Sequence, residues 1–367
     1  MTEPAETETM EAEPAETMKA IVIDDYSEAR VEDVPRPTPG EDEALIAVSR
    51  VQLDVTECQN YRGEPSILSD LVAEKMQHGG ARLFGHEFAG EIVALGDSVT
   101  EYEVGDRVYA PDKVNGTETP GYHRPGALAE YICLPVHALR ALPDDVSDAE
   151  GAVLQPLVSA ITCVRDARID VGDVVVVLGT GAMGYPTGQL ALARGAGTVV
   201  AVDVNPEMLA GAEQAGMLPV DAREECPVER VTELTGGTGA DVVFESVGGH
   251  HTHASDGDDP LAQSFQMVRT GGTIVEIGVI PGEMTLRPRD YRARQIRWVN
   301  PQLGTLQTGP NTDTGDLAIQ LVAEGRISVA DAVTHELSGL DSFDEAVDIT
   351  LNKADYGARG PAQLVLD

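Results

Sequence analysis

The chain has 367 residues, 42% of them hydrophobic, which is enough for two ordinary domains with their own cores. Its 62 acidic against 25 basic residues give a formal net charge of −37, which excludes a nucleic-acid partner and disfavours an anionic membrane surface. The longest apolar runs, such as Val174–Leu178, are far too short to span a bilayer, and no signal-peptide pattern opens the chain. The four cysteines are scattered without a CxxC pair, which favours a reducing cytoplasm over a disulfide framework.

The acidic residues are spread along the chain, and only four of the basic residues are lysine. At low salt such a surface repels itself, whereas at molar salt a Debye length of about 3 Å screens the repulsion. The composition therefore favours a salt-rich cytoplasm, as in halophiles. An ordinary acidic protein is the alternative.

The predicted elements begin after an acidic extension. Residues 1–17 contain six glutamates and no base, so we expect them to be disordered, with Met18 as an alternative start of the chain. Short β segments with Gly and Pro between them follow from Met18 to about Leu142. The first of these, "MKAIVIDDYSEARVEDVPRP", has the pattern of a strand, a turn and a second strand. This part of the sequence predicts a mostly β domain.

Residues 169–300 change to alternating strands and helices. Buried strands are predicted in "DVVVVLG", "TVVAVDV", "ADVVFESVG" and "GGTIVEIGVI", and helices in "MGYPTGQLALARG" and "PEMLAGAEQAG". This βαβ series predicts an α/β fold with a doubly wound parallel sheet. Residues 301–367 contain a polar loop, helices near Thr314–Glu324 and Ser342–Asn352, and a last strand in "AQLVLD". We expect this final segment to return to the first domain.

A glycine-rich turn follows the first buried strand of the βαβ series. In "VVVVLGTGAMG", three glycines have the GxGxxG spacing between a strand and a helix. Such glycines allow a tight turn, a close approach of pyrophosphate and close helix–strand packing, and the helix N-terminus faces the phosphates. The sequence therefore predicts a dinucleotide cofactor. The predicted loop residues are Gly179, Thr180, Gly181, Ala182, Met183 and Gly184.

An acidic residue ends the next strand. Asp203 lies 19 residues after Gly184, where a carboxylate binds the adenosine ribose and repels a 2′-phosphate, so NAD is favoured over NADP. Use of NADP stays open, because molar salt weakens discrimination by charge. Val247 and Gly248, which follow a later strand, are predicted to border the cofactor.

A His–Glu pair stands between two glycines in "LFGHEFAGEIVALGDSV", residues 83–99. A lone buried histidine is more often a core residue than a ligand, but the pattern G-H-E-x2-G-x5-G-x2-V closely resembles the signature of zinc-containing alcohol dehydrogenases of the medium-chain dehydrogenase/reductase superfamily. "GDRVYAP" and "LAEYICLP" also resemble segments of that family, and the resemblance extends over nearly the whole chain from Met18. It implies a β-rich, GroES-like catalytic domain over residues 18–168, a Rossmann domain over 169–300 and a return to the catalytic domain over 301–367.

The resemblance also implies one catalytic zinc. The ligand positions of the family fall on Asp54, where Cys is usual, on His86, and on Gln155, where the polyol branch has Glu. Glu87 corresponds to a residue in or near the metal shell. A carboxylate oxygen such as that of Asp54 binds zinc at about 2.0–2.2 Å. Thr56 matches the hydroxyl residue that passes the alcohol proton towards solvent. The alternative is a metal site that has been lost, with the "GHEFAG" stretch kept as scaffold.

No second metal is expected. Pro111–Gly126 corresponds to the structural-zinc lobe of the family and contains no cysteine, so one zinc per chain is the maximum. The His-rich tract Gly248–Asp259 is interpreted as a solvated insertion, with metal binding as the alternative. The remaining histidines without a partner pattern are interpreted as structural: His123, His137 and His335.

Together these features favour an NAD-dependent, zinc-type dehydrogenase that oxidises a secondary alcohol, either a polyol or a sugar. A threonine-type or simple alcohol dehydrogenase is one alternative, and a zinc-free nucleotide-binding reductase or binding protein is another. The insertion Pro65–Arg82 is expected to shape the substrate mouth. The usual assemblies of the family imply a homodimer or homotetramer joined through the edge strand in Arg294–Asn300.

Overall fold

The computed structural model describes residues 16–111, 113–114, 117–249, 253–303, 307–309 and 312–366. Most of the predicted acidic extension and the centre of the His-rich tract lie outside these ranges. Thr17, which we assigned to the extension, is the first residue of a strand. No helix within the described ranges is long and apolar enough to cross a lipid bilayer.

The first part of the chain is rich in strands. In chain order they are β1 (Thr17–Asp25), β2 (Glu28–Pro35), β3 (Glu43–Gln52), β4 (Glu87–Leu95), β5 (Arg107–Tyr109), β6 (Tyr131–Pro135) and β7 (Arg140–Ala141). The helices of this part are α1 (Val55–Tyr61), α2 (Ser69–Met76) and α3 (Asp148–Gly151), with a 3-10 turn at Val136–Ala138. The antiparallel pair β1–β2 confirms the predicted strand–turn–strand unit.

The middle part alternates helices and strands. Its helices are α4 (Leu154–Ala167), α5 (Gly184–Arg194), α6 (Pro206–Gln214), α7 (Pro227–Leu234), α8 (Pro260–Met267) and α9 (Pro288–Arg294). Its strands are β8 (Val174–Leu178), β9 (Thr198–Asp203), β10 (Leu218–Asp221), β11 (Ala240–Glu245), β12 (His253–Ala254), β13 (Val268–Glu276), β14 (Met284–Thr285) and β15 (Arg297–Val299). The strands and helices predicted from the βαβ pattern are therefore present.

The last part contains three helices and four short strands within the described residues. In chain order they are β16 (Gln307–Gly309), β17 (Thr312–Asp313), α10 (Thr314–Ala323), β18 (Glu336–Ser338), α11 (Phe343–Leu351), α12 (Lys353–Tyr356) and β19 (Gln363–Val365). The helices α10 and α11 agree with the predicted ones to within one residue at each end.

A six-stranded parallel sheet forms the centre of the middle part. Its strand order is β10-β9-β8-β11-β13-β15, the doubly wound order of a Rossmann sheet. The β-branched run of β8 is buried on both faces, as such a sheet requires. The strand order changes direction between β8 and β11, and ligands of open α/β sheets bind outside the carboxyl ends of the strands at that point. The predicted edge strand, β15, lies at one end of the sheet.

The antiparallel sheet of the first part is completed by the end of the chain. Its order is β18-β19-β3-β4-β5-β7, with β6 also pairing with β3. The backbone N–H of Leu53 donates to the carbonyl oxygen of Ala362 at 3.0 Å. The final segment thus packs against the strand that leads into Asp54. The predicted combination of a GroES-like and a Rossmann-type fold is confirmed.

Helices α1 and α2 lie in a region that we expected to be mostly β. Asp54 caps α1 by accepting a hydrogen bond from the backbone N–H of Glu57 at 3.0 Å, and an aspartate at this position is a strong helix-start signal. The second helix, α2, lies in the predicted insertion, and it buries Val72 and Met76 against the β-rich core. Thr56 therefore lies in a helix.

Candidate metal and cofactor site

A sharp turn before β4 places the His–Glu pair. Phe84 and Gly85 both have positive φ angles, of 70° and 84°. A Cβ atom on Gly85 would lie 2.6 Å from the backbone nitrogen of Leu128, so only glycine fits there. His86 follows this turn, and Glu87 is the first residue of β4. The glycine before the pair is thus required by the backbone.

Three predicted ligands meet at one point. Asp54, His86 and Glu87 each offer a ligand atom, and these atoms all lie within 4.8 Å of one another. The Nε2 atom of His86 is 4.0 Å from Oε1 of Glu87. The Oδ1 atom of Asp54 caps α1, and the Asp54 carboxylate also supplies an oxygen to the cluster. One nitrogen and two carboxylate groups form a donor set that suits zinc.

The orientation of His86 is set by a residue that sequence reasoning missed. Oε1 of Glu57 lies 2.6 Å from Nδ1 of His86, and Oε2 of Glu57 accepts a hydrogen bond from the backbone N–H of Gly85 at 2.9 Å. The Glu57 side chain is only 1% exposed. A carboxylate on Nδ1 fixes the imidazole so that Nε2 faces the metal position.

A second buried contact holds Glu87. The side-chain amide of Gln52 donates from Nε2 to Oε2 of Glu87 at 2.6 Å, and both side chains are buried. Gln52 is the last residue of β3, opposite Glu87 in the β3–β4 pairing. The other oxygen of Glu87, Oε1, lies on the side of His86. The Glu87 carboxylate therefore connects Gln52 of β3 to the position of the metal.

The electrostatics of the cluster favour a bound cation. Burial alone would lower the pKa of His86, but Glu57, Asp54 and Glu87 outweigh it and raise this pKa to about 10. Burial and the charge of Asp54 raise the pKa of Glu87 to about 8. Negative charge thus surrounds His86, and a cation that binds here must displace any proton that these groups hold.

Two further predicted residues lie near the start of helices. Gln155 is the second residue of α4 and Thr56 the second residue of α1, and both are half-buried. With Glu87 inside the cluster, Asp54 and Glu87 together balance the charge of Zn²⁺, and a neutral Gln155 would leave that balance unchanged. The roles of Gln155 as a ligand and of Thr56 as a proton relay stay predictions.

The substitution Glu57→Gln should weaken metal binding. The variant lacks the carboxylate that contacts Nδ1 of His86. We expect its Kd for zinc to rise about 10–100-fold, because the loss of a residue that orients a ligating histidine typically weakens metal binding by that factor. Competition for zinc with a chelator of known affinity measures this Kd. The control is Glu43→Gln, which removes a carboxylate of β3 that pairs with Arg124 instead. Equal zinc affinity of Glu57→Gln and the parent protein would contradict the assigned role.

The predicted phosphate loop connects β8 to α5. Gly179 has a φ of +79°, and a Cβ atom there would lie 2.9 Å from Cγ2 of Val247. A Cβ atom on Gly184 would collide with the carbonyl oxygen of Gly179. At Gly181, by contrast, no described atom lies within 4 Å of an added Cβ. That open position is where a pyrophosphate approaches the backbone in this motif, so the loop fits a dinucleotide.

Asp203 ties the end of β9 to this loop. Its Oδ2 accepts hydrogen bonds from the backbone N–H and the hydroxyl of Thr180, at 2.7 and 2.9 Å. Its Oδ1 accepts from the backbone N–H groups of Val204 and Asn205. The carboxylate therefore shapes the loop, and ribose binding by Asp203 stays a prediction.

The loop after β11 lies beside the phosphate loop. The backbone N–H groups of Val247 and Gly248 both donate to Oε1 of Glu245 at 2.9 Å. The Cγ2 atom of Val247 would lie only 2.9 Å from a Cβ atom added to Gly179, so Val247 packs directly against the phosphate loop. The structure thus brings together the two predicted cofactor segments at the carboxyl ends of β8 and β11, where the strand order changes direction.

Comparison with known proteins identifies the family. The family model for the alcohol dehydrogenase GroES-like domain matches residues 40–144, and the one for zinc-binding dehydrogenases matches residues 182–324. A sorbitol dehydrogenase from Halalkalibacterium halodurans is 30% identical over 353 residues, which cover 90% of this chain and 95% of that protein. This chain belongs to the zinc-dependent medium-chain alcohol dehydrogenase family. The resemblance stated from the "GHEFAG" stretch is confirmed.

Other members of the zinc-dependent medium-chain family are similar in sequence or fold. An L-threonine 3-dehydrogenase from Chelativorans sp. is 32% identical over 282 residues, which are 72% of this chain and 77% of that protein. A protein from Sinorhizobium meliloti described as a zinc-binding dehydrogenase, with NADP bound, is 25% identical with a TM-score of 0.79, covering 96% of this chain and 99% of that chain. The 2R,3R-butanediol dehydrogenase from Bacillus subtilis shares the fold, with a TM-score of 0.78 at 24% identity, covering 95% of this chain and 99% of that chain.

Proposed function

We propose that this alcohol dehydrogenase oxidises a secondary hydroxyl of a polyol or sugar with NAD, and releases a ketone, NADH and a proton. The observation that carries the proposal is the cluster of Asp54, His86 and Glu87. Sorbitol dehydrogenases from two bacteria and an erythritol/L-threitol dehydrogenase are among the similar proteins, which supports a polyol as substrate.

The residues of this chain divide the chemistry between them. Asp54, His86 and Glu87 would hold the zinc, which would supply a Lewis acid that lowers the pKa of the alcohol. Thr56 would receive the hydroxyl proton and pass it towards solvent, and the nicotinamide would supply the hydride acceptor. Glu57 holds the imidazole of His86 in place through Nδ1. Gln155 lies at the start of α4 as a neutral further donor.

The cofactor is proposed to bind across the loop Gly179–Gly184, with NAD preferred because Asp203 places a negative charge at the ribose position. The acidic composition supports activity at molar salt in a cytoplasm, since the net charge of −37 is screened there. For the assembly we propose a homodimer or homotetramer through β15, which pairs with β13 alone among the described strands.

The experiment that tests the function starts with metal content, measured by elemental analysis on protein purified in molar salt without chelator. About one zinc per chain is expected, as for a single catalytic site. Sorbitol, xylitol, erythritol, butanediol, glucose and L-threonine are then offered with NAD and with NADP. Reduction of NAD by a polyol or sugar supports the proposal. A protein without metal even after zinc is supplied, and with no activity, would favour the zinc-free alternative.

A threonine-type dehydrogenase is the second candidate, favoured by the 32% identity to L-threonine 3-dehydrogenase. The same panel separates the two candidates, because a threonine enzyme must favour the amino acid over every neutral polyol. The preference is expressed as the ratio of kcat/KM values, which compares transition-state stabilisation for the two substrates.

A further inference from the structure

Three buried polar residues form a row across neighbouring strands beside the metal cluster. In the antiparallel pairings, Gln52 of β3 lies opposite Glu87 of β4 and also opposite Gln363 of β19. Residues opposite each other in such a sheet point to the same face, with Cβ atoms about 4.5–5.5 Å apart. Gln52 and Gln363 are fully buried, and Glu87 is 3% exposed. The strands therefore place two amides and one carboxylate side by side in the interior.

Within the described residues, the side-chain amide of Gln52 makes one hydrogen bond, and its acceptor belongs to the metal cluster. Nε2 donates to Oε2 of Glu87 at 2.6 Å, whereas no described group donates to Oε1 of Gln52. The flanking residues Val51 and Leu53 belong to the hydrophobic core. Burying an amide with its oxygen unpaired costs free energy, so an apolar side chain would serve the fold better at this position. What the amide contributes is thus its contact with Glu87.

That contact gives the two oxygens of the Glu87 carboxylate different surroundings. Oε2 is occupied by the amide of Gln52, while Oε1 lies 4.0 Å from Nε2 of His86, another residue of the cluster. The backbone that carries the amide is fixed, because β3 is paired with β4 on one side and with β19 on the other. A carboxylate held in this way presents one oxygen to a cation, not both.

The second carboxylate of the cluster is restrained in a similar way. Oδ1 of Asp54 accepts the hydrogen bond that caps α1, so the protein engages one oxygen of this carboxylate as well. Zinc is satisfied with four ligands, whereas Ca²⁺ takes six to eight oxygens and accepts both oxygens of one carboxylate, and Mn²⁺ prefers six oxygen ligands. A cluster that offers single carboxylate oxygens therefore suits the ion with the lower coordination number.

We propose that Gln52 is a positioning residue for the metal site, which limits Glu87 to binding through Oε1 alone and so favours zinc over divalent ions that need more oxygen ligands. The inference rests on the proposed function, since it assumes that the cluster holds a metal. Gln52 does not contact the metal in this arrangement and acts only through the Glu87 carboxylate. Its removal should therefore change which metal is bound, and how, before it changes the fold.

The test compares Gln52→Met with the parent protein in the Kd for zinc and for Mn²⁺, each measured alone by competition with a chelator of known affinity. Methionine is unbranched and adaptable and has no hydrogen-bond donor, so it removes the contact while filling the space. We expect the Kd for zinc to rise about 10–100-fold, as for other residues that orient a metal ligand. The Kd for Mn²⁺ should stay the same or fall, because Glu87 is then free to bind with both oxygens.

The neighbouring glutamine supplies a matched control. Gln363 is equally buried, but its Nε2 donates to the carbonyl oxygen of Ala149 in α3, at 2.8 Å, and not to the cluster. Gln363→Met should lower the free energy of unfolding, because the sheet loses its contact with α3, and should keep both metal affinities of the parent. Co²⁺ bound in place of zinc gives a second measurement, since it absorbs visible light more strongly with four ligands than with six. This absorption should weaken in Gln52→Met alone.

Each contrary outcome has a separate meaning. Unchanged zinc affinity of Gln52→Met would show that Glu87 needs no help from the amide and would overturn the inference. Equal losses of zinc and Mn²⁺ affinity would remove the claim on metal preference, and equal losses in Gln52→Met and Gln363→Met would assign the effect to the fold of the sheet; either result overturns it as well. If the parent protein bound no zinc, the proposed function itself would fail, and the inference with it.

Discussion

His86→Ala is expected to remove the zinc and to lower kcat at least about 1,000-fold, while the Kd for NADH stays unchanged. His86 supplies the only nitrogen donor among the three clustered ligands, so the variant leaves two carboxylate groups, Asp54 and Glu87, facing each other. The phosphate loop is formed by other elements, β8 and α5, and does not depend on this side chain. Elemental analysis, steady-state kinetics with the best substrate and NADH titration are measured on the same preparation.

The control for this prediction is His137→Ala. His137 lies in the 3-10 turn after β6, is exposed and is not part of the cluster. It should keep the zinc, the turnover and the cofactor affinity of the parent protein. Full activity of His86→Ala would favour the alternative stated above, in which the metal site has been lost and the "GHEFAG" stretch is kept only as scaffold.

Gly181→Ala is expected to fold as the parent protein does and to bind NADH about 10–100-fold more weakly, a loss of about 1.4–2.8 kcal/mol. The protein leaves room for the new methyl group, since no described atom lies within 4 Å of it. The space is where a pyrophosphate must approach the backbone, so the methyl group would meet only the cofactor. Calorimetric titration and thermal unfolding measure the two properties separately.

Gly184, at the end of the same loop, should lose stability rather than cofactor affinity when it is replaced by alanine. In Gly184→Ala the added methyl group collides with Gly179 in the protein itself, so the free energy of unfolding should fall by about 1–3 kcal/mol, as for overpacked sites. Gly211→Ala in α6, where an added Cβ makes only ordinary contacts at 3.9 Å, is the control for both variants. NADH affinity of Gly181→Ala equal to that of the parent would show that no pyrophosphate passes over this loop.

The centre of the Rossmann half could be predicted from the sequence, whereas outer elements such as β10, α7 and α8 were not. Its strands are runs of β-branched residues such as Val174–Leu178, and glycine marks the turn that must bind phosphate, so local sequence and final structure agree. The bounds of β9 follow in the same way from "TVVAVDV" and end at Asp203 as expected. Here the pattern that forms each element is contained within the element.

The metal half could be predicted only in part. Asp54, His86 and Glu87 were found because a known signature points to them. Glu57 was missed because its role depends on a contact with His86, 29 residues further along the chain, and not on any local pattern. Tertiary contacts of this kind leave no periodic signal in the sequence.

The pairing of β19 with β3 has a consequence for the order in which the molecule matures. The strands β8 to β15 leave the ribosome before β19 has been synthesised, so the parallel sheet can form while the antiparallel sheet still lacks an interior strand. Contacts between segments so distant in sequence are slow to form. The ligand Asp54 follows directly on Leu53, which is bonded to Ala362, so its final position waits for the end of translation. A nascent chain released early would carry a nucleotide fold without a finished catalytic centre.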